Sequence, residues 1–90
     1  MANEKISQET GKLIGKIAHY FDKIGVAVID ASDTIKIGDT IRVIGGEVDF
    51  TQQVESMELD RQKIDMAKTG DSFGMAVSQK VREGYKVYKV

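Results

Sequence analysis

The chain has 90 residues, with 13 Lys and Arg against 14 Asp and Glu, and therefore a formal net charge of −1. It contains no Cys and one His, which excludes a disulfide framework, a thiolate metal site and a thiol nucleophile. The charge balance also excludes a protein that binds nucleic acid over its whole surface, since that class needs many more Lys and Arg residues. The length predicts one domain with one small core.

Residues 1–11 are polar, with Ile6 as the large aliphatic residue, and they are predicted to be a flexible tail before a single domain over residues 12–90. The longest apolar run, residues 25–29, is far shorter than the ~20 residues that cross a bilayer. The start of the chain lacks the apolar region of a signal peptide. We therefore expect a cytoplasmic protein with no membrane contact.

Short segments rich in Val, Ile and aromatic residues, separated by Gly and Asp, predict an all-β fold. The first strand is predicted over residues 13–21 and the second over residues 26–29. The turn between them, at residues 22–25, places Gly25 where a positive φ is needed. A polar connection is predicted at residues 30–33.

The second part of the chain alternates apolar and polar residues, which predicts further half-buried strands. One strand is predicted over residues 40–44. A long strand over residues 50–60 is predicted to contain a bulge near Glu55 and Ser56, because its apolar positions fall out of phase. The remaining strands are predicted over residues 63–67, 72–78 and 86–90.

About seven short strands without helices are too many for an open sheet that is covered on one face. Closing the sheet removes its exposed edges. The sequence therefore predicts a small closed β-barrel of six or seven strands.

A weak internal repeat accompanies these strands. A basic residue, a spacer and Gly precede a strand at residues 36–39, 68–71 and, more faintly, 82–85, and the first two copies continue with Asp. We interpret the repeat as a turn motif, in which Gly makes the tight turn and the acid accepts hydrogen bonds from backbone N–H groups.

Four blocks of this sequence resemble the second domain of translational GTPases such as elongation factor Tu. The blocks are residues 35–43, 54–58, 67–77 and 82–87, and their order and spacing agree with the family. The resemblance implies a barrel of the translation-factor domain 2 type. The chain has no Gly-rich phosphate loop and no room for a nucleotide domain, so neither GTP hydrolysis nor nucleotide binding is expected.

Residues 14–28 also resemble the opening of the C-terminal barrel of collagenase-like peptidases, some of whose relatives act in RNA hydroxylation. That barrel has a strand, a Gly-Asp turn and a Val-x-x-Met segment in the same order. Both resemblances imply the same class of barrel, and they differ in what the barrel serves.

Candidate catalytic residues are few. His19 is the first choice for acid–base or metal chemistry, but the chain has no second His or Cys, and a strand-face or turn position is the favoured interpretation. Glu58 and Asp60 are spaced for one strand face, where a solvated acidic surface is favoured over a catalytic pair. We expect no enzyme activity, no metal and no cofactor.

Gly74 and Ala76 are predicted to form a small, flat strand face that a backbone or a base can approach closely. The favoured interpretation is that a neighbouring strand packs there.

Nucleic-acid contact is predicted at two places. The elongation-factor resemblance implies that Glu58 and the neighbouring Arg61 face the 3′ end of a tRNA. Aromatic rings interleaved with cations are typical of single-stranded RNA binding. The C-terminal cluster offers such groups at Lys80, Arg82, Tyr85, Lys86 and Tyr88.

The sequence thus predicts a non-enzymatic, translation-factor-like binding module that contacts ribosomal RNA, tRNA, the ribosome or a translation-associated protein. The alternative is a protein–protein adaptor barrel that serves a separately encoded peptidase-like or RNA-modifying enzyme.

Overall fold

The computed structural model describes residues 11–90, which form ten β-strands and no helix. All but the last residue of the predicted tail lie outside the described residues. The strands confirm the all-β prediction. They are β1 (Lys12–Phe21), β2 (Val26–Ala31), β3 (Ile35–Lys36), β4 (Thr40–Gly45), β5 (Val48–Gln53), β6 (Met57–Leu59), β7 (Gln62–Ile64), β8 (Met66–Ala67), β9 (Ser72–Ala76) and β10 (Lys86–Lys89).

Eight of these strands form one sheet in the order β5-β4-β10-β1-β2-β9-β6-β7, and β3 and β8 form a second, two-stranded sheet. The C-terminal strand β10 lies between β1 and β4, where it pairs antiparallel with both. The strand ladder of residues 11–90 ends at β5 and β7, so closure of the predicted barrel stays a prediction.

A side chain joins the β5 end of the large sheet to the end of β9, which shows that the sheet curls. The Gln52 amide donates a hydrogen bond to the carbonyl of Ala76 (3.0 Å) and accepts one from the backbone N–H of Ser78 (2.8 Å). A side-chain amide has both a donor and an acceptor, so it substitutes here for a peptide unit.

The first hairpin follows the prediction, with a turn at residues 22–25 and Gly25 at φ 66°. The polar connection was predicted at residues 30–33, but strand β2 continues through the first two of these residues. Asp30 and Ala31 still pair with Lys16 and Gly15 of β1, so β2 is two residues longer than predicted.

The predicted long strand over residues 50–60 is instead two strands, β5 and β6. Val54 leaves the ladder between them: its N–H donates to the carbonyl of Asp39 and its carbonyl accepts from the N–H of Gly38, both at 2.8 Å. The predicted strand at residues 63–67 also divides, at Asp65, whose carbonyl accepts from the N–H of Ile37. These two divisions, together with the short strand β3, raise the strand count from the predicted six or seven to ten.

The repeated turns confirm the interpretation of the internal repeat. Asp39 accepts the N–H of Lys36 and Asp71 accepts the N–H of Lys68, each at 2.9 Å. Gly38 and Gly70 have φ values of 93° and 94°. The third copy has a glycine with φ 92° but Tyr85 in place of the acid.

The buried side chains are all apolar and form one core, to which every strand except β7 contributes. They are Ile14, Ile17, Ala27, Ile29, Ala31, Ile35, Ile41, Val43, Phe50, Val54, Met57, Ala67, Phe73, Met75, Val81 and Val87. Among the described residues no polar or charged side chain is buried.

Candidate functional site

The predicted C-terminal cluster does not form one patch. Lys80, Arg82 and Tyr85 line a depression of about 610 Å³ at one end of the sheet. Asp22 and Glu47 line the same depression, so its cations and acids balance.

Lys86 and Tyr88 lie elsewhere, on the outer face of β10. They alternate with the buried Val87, and Tyr88 lies opposite Leu13 of β1 and Arg42 of β4. The period-two alternation of a strand therefore separates these two side chains from Tyr85.

The Tyr85 ring packs on the backbone of the β4–β5 turn. A Cβ atom placed on Gly45 would lie 2.2 Å from Cγ of this ring, which shows how closely the two groups approach. One face of the ring is therefore covered and is not available for stacking on a base. Nucleic-acid contact by the cluster stays a prediction.

Glu58 and Arg61, the other two predicted residues, lie together in a groove of about 460 Å³. Two hairpins form its walls. The β1–β2 hairpin contributes Phe21 and Ile24, and the β6–β7 hairpin contributes Glu58, Arg61 and Lys63. We call this surface the hairpin groove.

The floor of the hairpin groove is made of small and aliphatic residues of β2 and β9. Gly74 lies opposite Val28 on one side and Glu58 on the other within the sheet, and packing on its small outer face stays a prediction. Ala76 is exposed farther along β9. A Cβ atom on Gly74 would meet its nearest neighbour, Cγ1 of Val26, at 3.4 Å.

The β1–β2 wall exposes large apolar side chains. Ile24 is 69% exposed and Phe21 is 46% exposed. The Phe21 ring also makes an edge contact with the His19 ring, at 4.5 Å between centroids. Large apolar groups beside a concave, charged rim are a common feature of protein-binding surfaces.

The β6–β7 wall contains an unusual turn. Asp60 and Arg61 connect the paired residues Leu59 and Gln62, and their φ values are 52° and 66°. A two-residue hairpin turn with two positive φ values ordinarily uses Asn-Gly or Asp-Gly. The sequence prediction missed this hairpin because Arg stands where Gly is expected.

The predicted carboxyl pair is not formed on a strand face. Asp60 lies in the turn, whereas Glu58 lies in β6 opposite Lys63. His19 is exposed on β1, as interpreted, and its Nδ1 is 3.3 Å from Oε2 of Glu83. Within residues 11–90, no group of three His, Cys, Asp or Glu residues is arranged to hold a metal.

On the outer face of the sheet, two acids form ion pairs with neighbouring cations. The Arg42 guanidinium donates to both Asp49 oxygens, at 2.8 and 2.6 Å, and these bonds hold the pKa of Asp49 below its usual value. Lys12 Nζ lies 2.6 Å from Oδ2 of Asp33 and lowers the pKa of that carboxyl in the same way.

No helix in residues 11–90 is long and apolar enough to cross a membrane.

No protein-family model matches the chain. In sequence it is 36% identical over 76 residues to an uncharacterized protease of Methanocaldococcus jannaschii, a match that covers 83% of this chain and 19% of that protein. It is 32% identical over 78 residues to a collagenase of Porphyromonas gingivalis, covering 84% of this chain and 22% of the collagenase. The chain thus spans about a fifth of the length of the curated relatives it matches.

Among solved structures, the chain is similar to the C-terminal domain of a protein named as a U32 peptidase of Geobacillus thermoleovorans. The TM-score is 0.83 at 20% identity, and the match covers 88% of this chain and 92% of that domain. A selenomethionine variant of the same domain matches with a TM-score of 0.82 at 21% identity, over 87% of this chain and 99% of that one.

These relatives overturn the prediction of a translation-factor or elongation-factor-like module, because they are named as a protease, a collagenase and a peptidase. Two of the four blocks that carried that resemblance contain Lys-x-Gly-Asp turns, and the structure shows that these two segments form local turns. The resemblance to the collagenase-like barrel is the one that the relatives support. The chain therefore has the fold of a peptidase C-terminal domain and is related in sequence to part of proteins named as proteases.

Proposed function

We propose that this chain is a non-catalytic adaptor domain that docks on a peptidase-like catalytic domain. The observation that carries the proposal is the extent of the sequence match. Most of this chain aligns with only 19% of a protease, so in that protein the matching segment is one part of a much larger chain. A module of this size without a buried polar group among its described residues fits a binding role better than a catalytic one.

The hairpin groove is the surface proposed to dock. Its β1–β2 wall offers Phe21 and Ile24 for apolar contact, and its opposite wall offers both signs of charge. Burial of exposed aromatic and aliphatic side chains is the main source of affinity in protein interfaces, and charged rims fix the orientation. Closure of the curled sheet into a barrel, which the Gln52 bridge supports, would hold the two walls in fixed positions.

Isothermal titration calorimetry tests this proposal. The titrant is this chain, and the cell contains the M. jannaschii protease without the segment that this chain matches. We expect a one-to-one complex. The Ile24→Ser variant should bind about tenfold more weakly, as is usual for loss of an apolar anchor.

Two controls make the result decisive. Ile37→Ser removes the same apolar group at a position that is 41% exposed and does not line the groove, so it should bind like the unmodified chain. The protease's own matched segment, added in trans, shows that the truncated protein can bind. Binding of that segment but not of this chain contradicts the proposal.

A further inference from the structure

The outer face of β1 and β10 carries a small pit that lies apart from the hairpin groove. It has a volume of about 220 Å³, and Leu13, Gly15 and Ala31 contribute to its lining. Leu13 is 47% exposed, so the pit presents an apolar surface to solvent. Lys16 and Lys86 also line it.

These two lysines lie directly opposite each other in the β1–β10 ladder. Like charges at such positions destabilise a sheet, so the arrangement has a cost to the fold. Neither lysine makes an ion pair within residues 11–90. Three other cations of β1, β4 and β10 do, in the pairs Lys12–Asp33, Arg42–Asp49 and Lys89–Asp39.

One acid lies beside the pair. Asp30 of β2 is opposite Lys16 and also lines the pit, and its carboxylate accepts a hydrogen bond from the Ser72 hydroxyl. On the other side of Lys86, the facing residue of β4 is Ile44. The lining of the apolar pit therefore includes two lysines and one acid, so cations are in excess there.

We propose that this pit binds the C-terminal carboxylate of a peptide whose last residue is aliphatic. Lysine ammonium groups donate hydrogen bonds to anions, and the two oxygens of one carboxylate can accept a hydrogen bond from each lysine. The pit offers a site for an aliphatic group next to a site for a carboxylate. The last residue of a peptide has both groups on one Cα atom, whereas an Asp or Glu side chain ends in its carboxylate and has no aliphatic group beyond it.

The size of the pit agrees with this ligand. A volume of 220 Å³ corresponds to roughly seven water-sized groups at ~30 Å³ each. A leucine side chain together with its carboxylate has about seven non-hydrogen atoms. The site does not depend on the proposed docking to a peptidase-like domain, because the pit and the hairpin groove share no lining residue.

NMR titration of the ¹⁵N-labelled chain tests the proposal. The probes are N-acetyl-Gly-Gly-Leu with a free carboxylate, the same peptide as its C-terminal amide, and acetate. The free-acid peptide should shift the amides of Leu13, Lys16, Ala31 and Lys86, with a dissociation constant of about 1 mM. The amide and acetate should each bind at least about tenfold more weakly, because each lacks one of the two recognised groups.

Two variants complete the test. Lys16→Gln and Lys86→Gln should each weaken binding of the peptide about three- to tenfold, and Lys68→Gln, a lysine outside the pit, should not change it. Lys86→Gln should also raise the midpoint of thermal unfolding by about 1–4 °C, because it removes the repulsion between the two lysines and Lys86 faces no acid in either neighbouring strand. This rise distinguishes lost recognition from lost folding.

Three results would overturn the proposal. The first is equal binding of the free-acid peptide and its amide, which would show that the carboxylate is not recognised. The second is equal binding of acetate and the peptide, which would show that the apolar pit contributes nothing. The third is peptide binding that neither pit variant weakens.

Discussion

At the residue scale, Arg61 has a backbone conformation that favours glycine. Its φ of 66° follows the φ of 52° at Asp60, and each left-handed residue costs roughly 1–2 kcal/mol when it carries a Cβ atom. The turn places the Arg61 side chain at the rim of the hairpin groove. Backbone strain that persists beside a binding surface suggests a function for the residue that bears it.

Replacing Arg61 with Gly should therefore separate stability from binding. We expect Arg61→Gly to raise the free energy of unfolding by about 0.5–1.5 kcal/mol, measured by urea denaturation, and to weaken docking to the truncated protease. Arg61→Lys keeps both the charge and the strain, and should change neither property. A variant Arg61→Gly that is no more stable than the unmodified chain would show that the turn is unstrained.

The Arg42–Asp49 pair predicts how stability depends on pH. Hydrogen bonds from Arg42 hold the pKa of Asp49 below its usual value in the folded chain, so the pair stabilises the fold above the unfolded pKa of ~4. That contribution is lost as the pH falls through the lowered pKa. Because the pair is solvent-exposed, the effect is small.

The variant Arg42→Gln should thus be less stable than the unmodified chain at pH 7, and the difference should shrink as the pH falls from about 5 to 2. Thermal unfolding followed by circular dichroism across this range measures the difference. A difference that is constant over the range would mean that Arg42 acts through packing rather than through the Asp49 carboxylate.

At the scale of strands and turns, the β4–β5 turn and the segment before β10 are held together by Tyr85. A methyl group on Gly45 would overlap the Tyr85 ring, so Gly45→Ala must displace it. We expect a loss of about 1–3 kcal/mol in the free energy of unfolding, measured by urea denaturation.

Gly74→Ala is the matched control, because a Cβ atom there meets its nearest neighbour only at ordinary contact distance. It should change stability by less than about 1 kcal/mol. Equal losses in the two variants would contradict the account of Tyr85, since a general cost of replacing glycine would then explain both.

The sequence predicted correctly those turns that are determined by their own few residues. The first hairpin follows from a turn at Gly25, and the repeated turns follow from Gly38 and Gly70 with their neighbouring acids, because each needs only its own residues. The breaks at Val54 and Asp65 could not be predicted. Both residues bond to residues 37–39, far away in the sequence.

The candidate site was predicted only in part, for the same reason. Glu58 and Arg61 were singled out through a resemblance and do lie together in the hairpin groove, but Phe21 and Ile24 were not linked to them. Only the pairing of β2, β9 and β6 brings the two hairpins side by side. The C-terminal cluster divided because strand alternation places Tyr85 and Lys86 on different faces.

At the scale of the whole molecule, the proposed function is that a small all-β domain docks on a peptidase-like partner through the groove between two hairpins. The buried core is apolar and comes from nine of the ten strands, and the exposed wall residues Phe21, Ile24 and Arg61 are not part of it. Variants on the groove walls should therefore test binding without unfolding the domain.

Backbone hydrogen exchange in the complex with the truncated M. jannaschii protease tests the proposed docking. We expect binding to slow exchange in the turn at residues 22–25, in the turn at residues 60–61 and in exposed amides beside them. Exchange around Lys80 and Arg82 should stay unchanged. Protection around Lys80 and Arg82 with none in the two hairpin turns would show that the domain docks through the other depression and not through the hairpin groove.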